Sequence, residues 1–148
     1  MFRKIMIATD GSETSQKASK MGVELAQKHG AQIVVVYVAD TSRLGYLPDY
    51  IQYSGTIRDL MLKEGKDATD QVENLAKEEG VGCEKIILEG RPSDELLRLS
   101  NEAGIDLLVM GSVGRGGLDR FLLGSVAEKV TQHSKVPVLL VPGEKVHK

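Results

Sequence analysis

The chain has 148 residues, enough for one domain that buries roughly 70% of its unfolded surface. With 19 Lys and Arg against 21 Asp and Glu, few aromatics and no Trp, it has neither the basic excess nor the stacking rings of a nucleic-acid binder. The lone Cys83 excludes an internal disulfide, and no apolar run reaches the length of a membrane span. A single cytoplasmic domain over 1–148, without a signal peptide or membrane partner, is the expectation.

Phe2 to Thr9 reads as a first strand, its run Ile5-Met6-Ile7-Ala8 being the pattern of a central parallel strand covered on both faces. Asp10-Gly11-Ser12 ends it, with Ser12 as helix cap; Asp10 competes for that capping role. Ala18, Met21, Gly22, Leu25 and Ala26 recur at helical spacing, and Gly30 closes that helix after His29. Gln32 to Val38 is a second strand. A long connection to about Gly55 carries three of the four tyrosines, Tyr46, Tyr50 and Tyr53. Such a loop suits a lid or a mobile segment, and its tyrosines either cover a ligand, meet a partner chain or anchor the loop to the domain.

Thr56 to Glu79 is a long amphipathic helix with Ile57, Leu60, Met61, Ala68, Val72, Leu75 and Ala76 inward. The run Lys63 to Asp67 reads as a solvated stretch. Cys83 to Leu88 is a third strand, with Cys83 a buried structural thiol. Pro92 opens the next helix, where Asp94 and Glu95 suit the positive end of the dipole. Leu96, Leu97, Leu99 and Ala103 face inward and Gly104 closes it. The apolar run Ile105 to Met110 reads as the fourth strand, Val126 to Val130 begin the last helix, and Val136 to Val141 is the fifth strand.

This alternation makes an α/β fold, a parallel sheet with helices on both faces. Right-handed crossovers make strand order 3-2-1-4-5 the natural choice. In such a sheet ligands bind beyond the carboxyl ends of the strands where the order reverses, here between strands one and four. Thr9-Asp10-Gly11 and Met110-Gly111-Ser112 should therefore face each other.

The stretch after the fourth strand, GSVGRGGLDRFLLGS from Gly111 to Ser125, holds five glycines. It reads either as a flexible loop closed by a Ser125–Glu128 capping box or as an anion cradle made of main-chain N–H groups. It is not a P-loop, because no GxxxxGK[ST] is present. It is not a dinucleotide fingerprint either, because Asp119 stands where glycine or alanine is needed.

Gly111, Gly114 and Gly124-Ser125 have the spacing G-x2-G-x9-G-[S/T], and in this the chain resembles the ATP-binding universal stress proteins. The likeness extends to the opening Ile5 to Ser12, the strand Val34 to Val38 and the closing Val136 to Pro142. It implies a Rossmann-like, adenine nucleotide alpha hydrolase-like fold with the same strand order. It also implies ATP as ligand, with Ala8, Thr9, Asp10 and Val38 around adenine and ribose. Met110, Gly111, Gly114, Gly124, Ser125 and Val126 would surround the remainder. Mg2+ or Mn2+ would accompany the triphosphate.

From the chemistry, the N–H groups of Gly114, Arg115, Gly124, Ser125 and Val126 are phosphate donors, within a cradle that includes Gly116. Arg115 and Arg120 are either phosphate partners or solvated loop arginines. Asp10 repels phosphate but suits a ribose hydroxyl or the metal ion. His29 and His133 sit late in helices, where the dipole explains them, and no nucleophile–base pair emerges. The expectation is a nucleotide-binding regulator with an unidentified protein partner. The alternatives are a slow ATPase or nucleotidyl-transfer enzyme, and a flavodoxin-like redox module. Strand five, apolar and at the edge, predicts a homodimer through Val136 to Val141, as the resemblance also implies.

Overall fold

The computed structural model of the chain describes residues 1–102, 104–113 and 124–143. Five parallel strands form one sheet in the order β3-β2-β1-β4-β5: β1 Lys4–Ala8, β2 Gln32–Asp40, β3 Cys83–Gly90, β4 Leu107–Gly111 and β5 Val138–Val141. The order is the one that the alternating pattern predicts. The α-helices are α1 Glu13–His29, α2 Asp49–Gln52, α3 Thr56–Glu78, α4 Pro92–Glu102 and α5 Ser125–His133. Among the described residues no helix is long and apolar enough to cross a membrane.

Strand alternation sorts the sheet side chains into two layers. Ile5, Ile7, Ile33, Val35 and Val109 pack with Ala18, Val23 and Ala26 of α1 and with Val72 and Ala76 of α3. On the other face Met6, Ala8, Val34, Val36, Leu108 and Met110 pack with Leu96 of α4 and with Ala127 and Val130 of α5. Both faces of the central strands are dry, which is why β1 and β2 read as near-continuous apolar runs.

Strand bounds follow the pairing. β1 is shorter than Phe2–Thr9 because its ladder with β2 runs from Lys4 to Ala8. β3 continues two residues past Leu88, since its register with β2 reaches Asp40 opposite Gly90. β5 starts at Val138, not Val136: the carbonyl of Pro137 accepts the Leu108 N–H, but proline has no N–H to give in return.

Several local expectations from the sequence are corrected. The connection after β2 is not an irregular loop: Thr41–Tyr46 forms a 3-10 helix and α2 follows. Its tyrosines anchor nothing, with Tyr46, Tyr50 and Tyr53 exposed to 91%, 79% and 80%. Leu60 and Met21 lie outside, not inside; the buried stripe of α3 is Gly65, Ala68, Thr69, Val72 and Ala76. Gly65 is therefore no part of a solvated run. A Cβ placed on it would stand 2.6 Å from Tyr37 Cδ1, so glycine is what lets α3 lie on the tyrosine ring. Cys83 is half-buried rather than fully enclosed, and burial pushes its thiol up to about 11.

Other local readings hold. Ser12 caps α1 by accepting the Ser15 N–H, Gly30 sits in the left-handed region at φ 66° at its end, and Pro92 opens α4. Asp106 ties the start of β4 to the start of β1, its Oδ2 accepting the N–H groups of Arg3 and Lys4 at 2.8 and 2.9 Å. Those two donors hold the Asp106 carboxyl below its ordinary range.

Gly65→Ala should destabilise the protein by about 1–3 kcal/mol, the usual cost of overpacking, measured by chemical denaturation. On the α3 surface Asp70 bridges Lys66 and Lys85 at 2.7 and 2.8 Å, which hold its carboxyl down at about 2. Its contribution to stability is full above the ordinary carboxylate pKa and disappears as pH falls through about 2. Asp70→Asn should therefore flatten the acid limb of a stability–pH curve between about pH 4 and pH 2.

Candidate functional site

The sheet order opens a crevice at the carboxyl ends of β1 and β4, which pair as Ile5–Leu107, Met6–Leu108 and Ile7–Val109. On the β1 side a tight turn is fixed by local hydrogen bonds. Asp10 Oδ1 accepts the Ser12 N–H at 2.9 Å, and Thr9 Oγ1 accepts the Gly11 N–H at 3.1 Å, with Gly11 at φ 81°. Ser12, not Asp10, caps α1, and Asp10 holds the cap residue in place.

Thr9 faces α1, not α4. Ser15 Oγ donates to the Ser12 carbonyl at 2.9 Å, so the Thr9 hydroxyl donates to Ser15 Oγ at 3.1 Å, since Ser15 has one hydrogen to give. Thr9 also lies on a cavity of about 280 Å³ between α1 and α3, with Ser19, Lys20 and Glu78 among its walls. That cavity borders the layer holding Val72 and Leu75, opposite the one that holds Ala8, Val38, Met110 and Val126.

Ala8, Met110, Val38 and Val126 belong to one apolar cluster on the α4 and α5 side of the sheet. They come from the ends of β1, β4 and β2 and from the first turn of α5, so four segments distant in sequence build one wall. Val38 and Met110 look like ordinary core positions in the sequence; only the sheet order sets them beside Ala8.

Gly111 closes the β4 end. A Cβ there would stand 2.7 Å from Thr14 Cγ2, and one on Gly143 2.9 Å from Thr14 Oγ1. The first turn of α1 thus rests on the glycine that ends β4 and on one just after β5. Sequence reading misses Thr14, whose role comes wholly from this approach.

The polar end of the crevice is the start of α5. The Ser125–Glu128 capping box is not formed. Gly124 is the cap residue, at φ −62° and ψ 150°, and its carbonyl accepts the Glu128 N–H at 2.8 Å. Ser125 is the first helical residue, one place too late for the box. A cap glycine has no side-chain oxygen for the N–H groups of the first turn, which have no partners within the helix. Those N–H groups and the positive end of the helix dipole favour an anion there.

Gly124 is held by Ser112, whose carbonyl accepts the Gly124 N–H at 2.7 Å, while the Ser112 N–H donates to Val141 at 3.0 Å. Ser112 Oγ is buried and has no hydrogen-bond partner among the described residues. Leaving a buried hydroxyl unsatisfied costs about 1–3 kcal/mol. Nothing in the sequence marks this serine apart from its place between two motif glycines.

Gly114, Arg115, Gly116 and Arg120 lie outside the described residues. Among the described residues no group of three His, Cys, Asp or Glu side chains is placed to hold a metal ion.

The universal stress protein family model matches residues 1–142. The chain is 38% identical over 141 residues to Universal stress protein MJ0531 of Methanocaldococcus jannaschii, covering 95% of this chain and 82% of that one. The solved structure of MJ0577, from the same organism, superposes with a TM-score of 0.80 at 28% identity, covering 99% of each chain. A universal stress protein solved in complex with cAMP superposes at 0.67 with 26% identity, covering 95% of this chain and 96% of that one. With its glycine spacing, its sheet order and a family match running from the first residue to beyond β5, the chain belongs to the universal stress protein family.

Proposed function

We propose that this protein binds ATP in the crevice between β1 and β4 and works as a nucleotide-dependent regulator or sensor in the stress response. The observation that carries the reading is the junction of the apolar wall, Ala8, Val38, Met110 and Val126, with the glycine-capped start of α5. A flat apolar base fits the wall and an anionic tail fits the helix start. The complex of a related universal stress protein with cAMP supports an adenine nucleotide as the ligand class.

In this reading Ala8, Val38 and Met110 hold the adenine, and Asp10 and the main chain of Thr9 border the base and ribose. Gly111, Gly124, Ser125 and Val126 meet the phosphates, with Gly114, Arg115 and Gly116 completing the cradle. Charge-assisted hydrogen bonds are worth ~1.5–3 kcal/mol each. Three or four of them, less the cost of ordering, support micromolar affinity, equivalent to ~8 kcal/mol. Mg2+ or Mn2+ would be held chiefly by the phosphates and water. One carboxylate, Asp10, is enough protein for such an ion, which keeps most of its own water.

Cytoplasmic location and self-association belong to the same proposal. β5 lies at the end of the sheet, with Val138, Leu139 and Leu140 only half-buried, and a second copy pairing along it forms a homodimer.

Denaturing the freshly purified chain and identifying the released small molecule by mass spectrometry should yield ATP near one per chain. ADP or AMP instead would favour slow hydrolysis. An empty protein that also gives no heat on titration with ATP and Mg2+ would overturn the reading. Light scattering at micromolar concentration should give twice the 16.1 kDa chain mass, and a monomer would remove the homodimer.

A further inference from the structure

The buried hydroxyl of Ser112 has no hydrogen-bond partner among the described residues. Its main chain is fully used: the N–H extends the ladder to Val141, and the carbonyl holds the cap of α5. Native proteins rarely leave a buried donor unmatched, and an exception calls for a partner beyond the described hydrogen bonds.

The side chain lies on the ligand side of the sheet. Val109 belongs to the layer under α1, Met110 to the layer with α5, and a Cβ on Gly111 would point at Thr14 of α1. The alternation, continued by the bond to Val141, turns Ser112 back toward α5. Its neighbours also fix which part of a ligand it meets. Met110, two residues earlier, belongs to the apolar wall, and Gly124, bonded to Ser112, caps the helix. Ser112 is thus the first polar side chain met on passing from the wall to the helix start.

We infer that Ser112 Oγ donates a hydrogen bond to the phosphate nearest the ribose of an adenine nucleotide bound in this crevice. The inference rests on the nucleotide reading above and adds a side-chain recognition group between the first two motif glycines, at a position whose residue type the spacing leaves open. Rotation about the single Cα–Cβ bond re-aims the hydroxyl among three staggered positions, so occupation needs no backbone change at this residue. Because the hydroxyl is unmatched in the free chain, Ser112 serves binding at the expense of the empty protein's stability.

That gives Ser112→Ala two opposite signatures. The full-length variant without nucleotide should melt no lower than wild type, because an unmatched polar atom is removed. By titration calorimetry it should bind AMP and ATP ~10-fold more weakly, the loss expected for one hydrogen bond to a charged group. Its affinity for adenosine, which has no phosphate, should be unchanged.

Equal AMP affinity in the two proteins would overturn the assignment and leave nucleotide binding standing. An equal loss for adenosine and AMP would overturn it too, by moving the hydroxyl to the base or ribose. A marked fall in the empty variant's melting temperature would show that Ser112 has a structural partner. Wild type that binds neither AMP nor ATP would defeat the nucleotide reading itself, and this inference with it.

Discussion

The pairing of β1 with β4 is the constraint on which the rest of this molecule depends. About a hundred residues separate the two strands, yet Ile5, Met6 and Ile7 lie against Leu107, Leu108 and Val109. Asp106 secures the start of this seam by accepting two N–H groups from β1. At the other end the chain leaves β1 toward one face of the sheet and β4 toward the other, so the two connections diverge and leave a crevice. A different neighbour for β1 would have put Asp10 and Gly111 on separate parts of the molecule.

Two packing requirements then shape the crevice. The first turn of α1 approaches so closely that a Cβ at Gly111 or Gly143 would have to displace the Thr14 side chain. The same demand recurs on the α3 side, where Gly65 takes the ring of Tyr37. In the loop motif, then, glycine at 111 suits helix packing independently of any ligand, since a Cβ there would press on the Thr14 methyl. Gly124 answers a different need, since a cap without a side chain leaves the first N–H groups of α5 to be met from elsewhere. Two glycines of one sequence motif are present for two unrelated physical reasons.

The polar groups around the crevice divide in a similar way. Thr9, Ser12 and Ser15 form a closed set of hydrogen bonds that holds the turn after β1 and joins it to α1. The Ser112 hydroxyl, across the seam, is buried and unmatched among the described residues. One side of the site is complete in the free chain, and the other has a hydroxyl to offer. This asymmetry matches a rigid platform for a base and ribose beside a segment that gains hydrogen bonds when an anion arrives.

Much of this was open to reading in the chain itself. Apolar runs such as Ile5 to Ala8 and Val34 to Val38 mark strands buried on both faces, because only a two-sided core makes such runs favourable. Gly30 and Ser12 mark helix ends because their backbone and side-chain chemistry is local. The glycine spacing from 111 to 124 carried the family for the same reason, as a pattern along one segment. Tertiary structure decided what depends on neighbours distant in sequence. Leu60 looks like a core residue until α3 is seen to turn Gly65 and Ala68 inward instead. Ser125 looks like a cap until the bond from Gly124 to Ser112 starts the helix one residue earlier. Val38 and Met110 become one wall, and Ser112 an unmatched donor, only when β1 lies between β2 and β4. Periodicity and capping act over a few residues and are written in the sequence; burial and hydrogen-bond matching are properties of the space that the fold encloses.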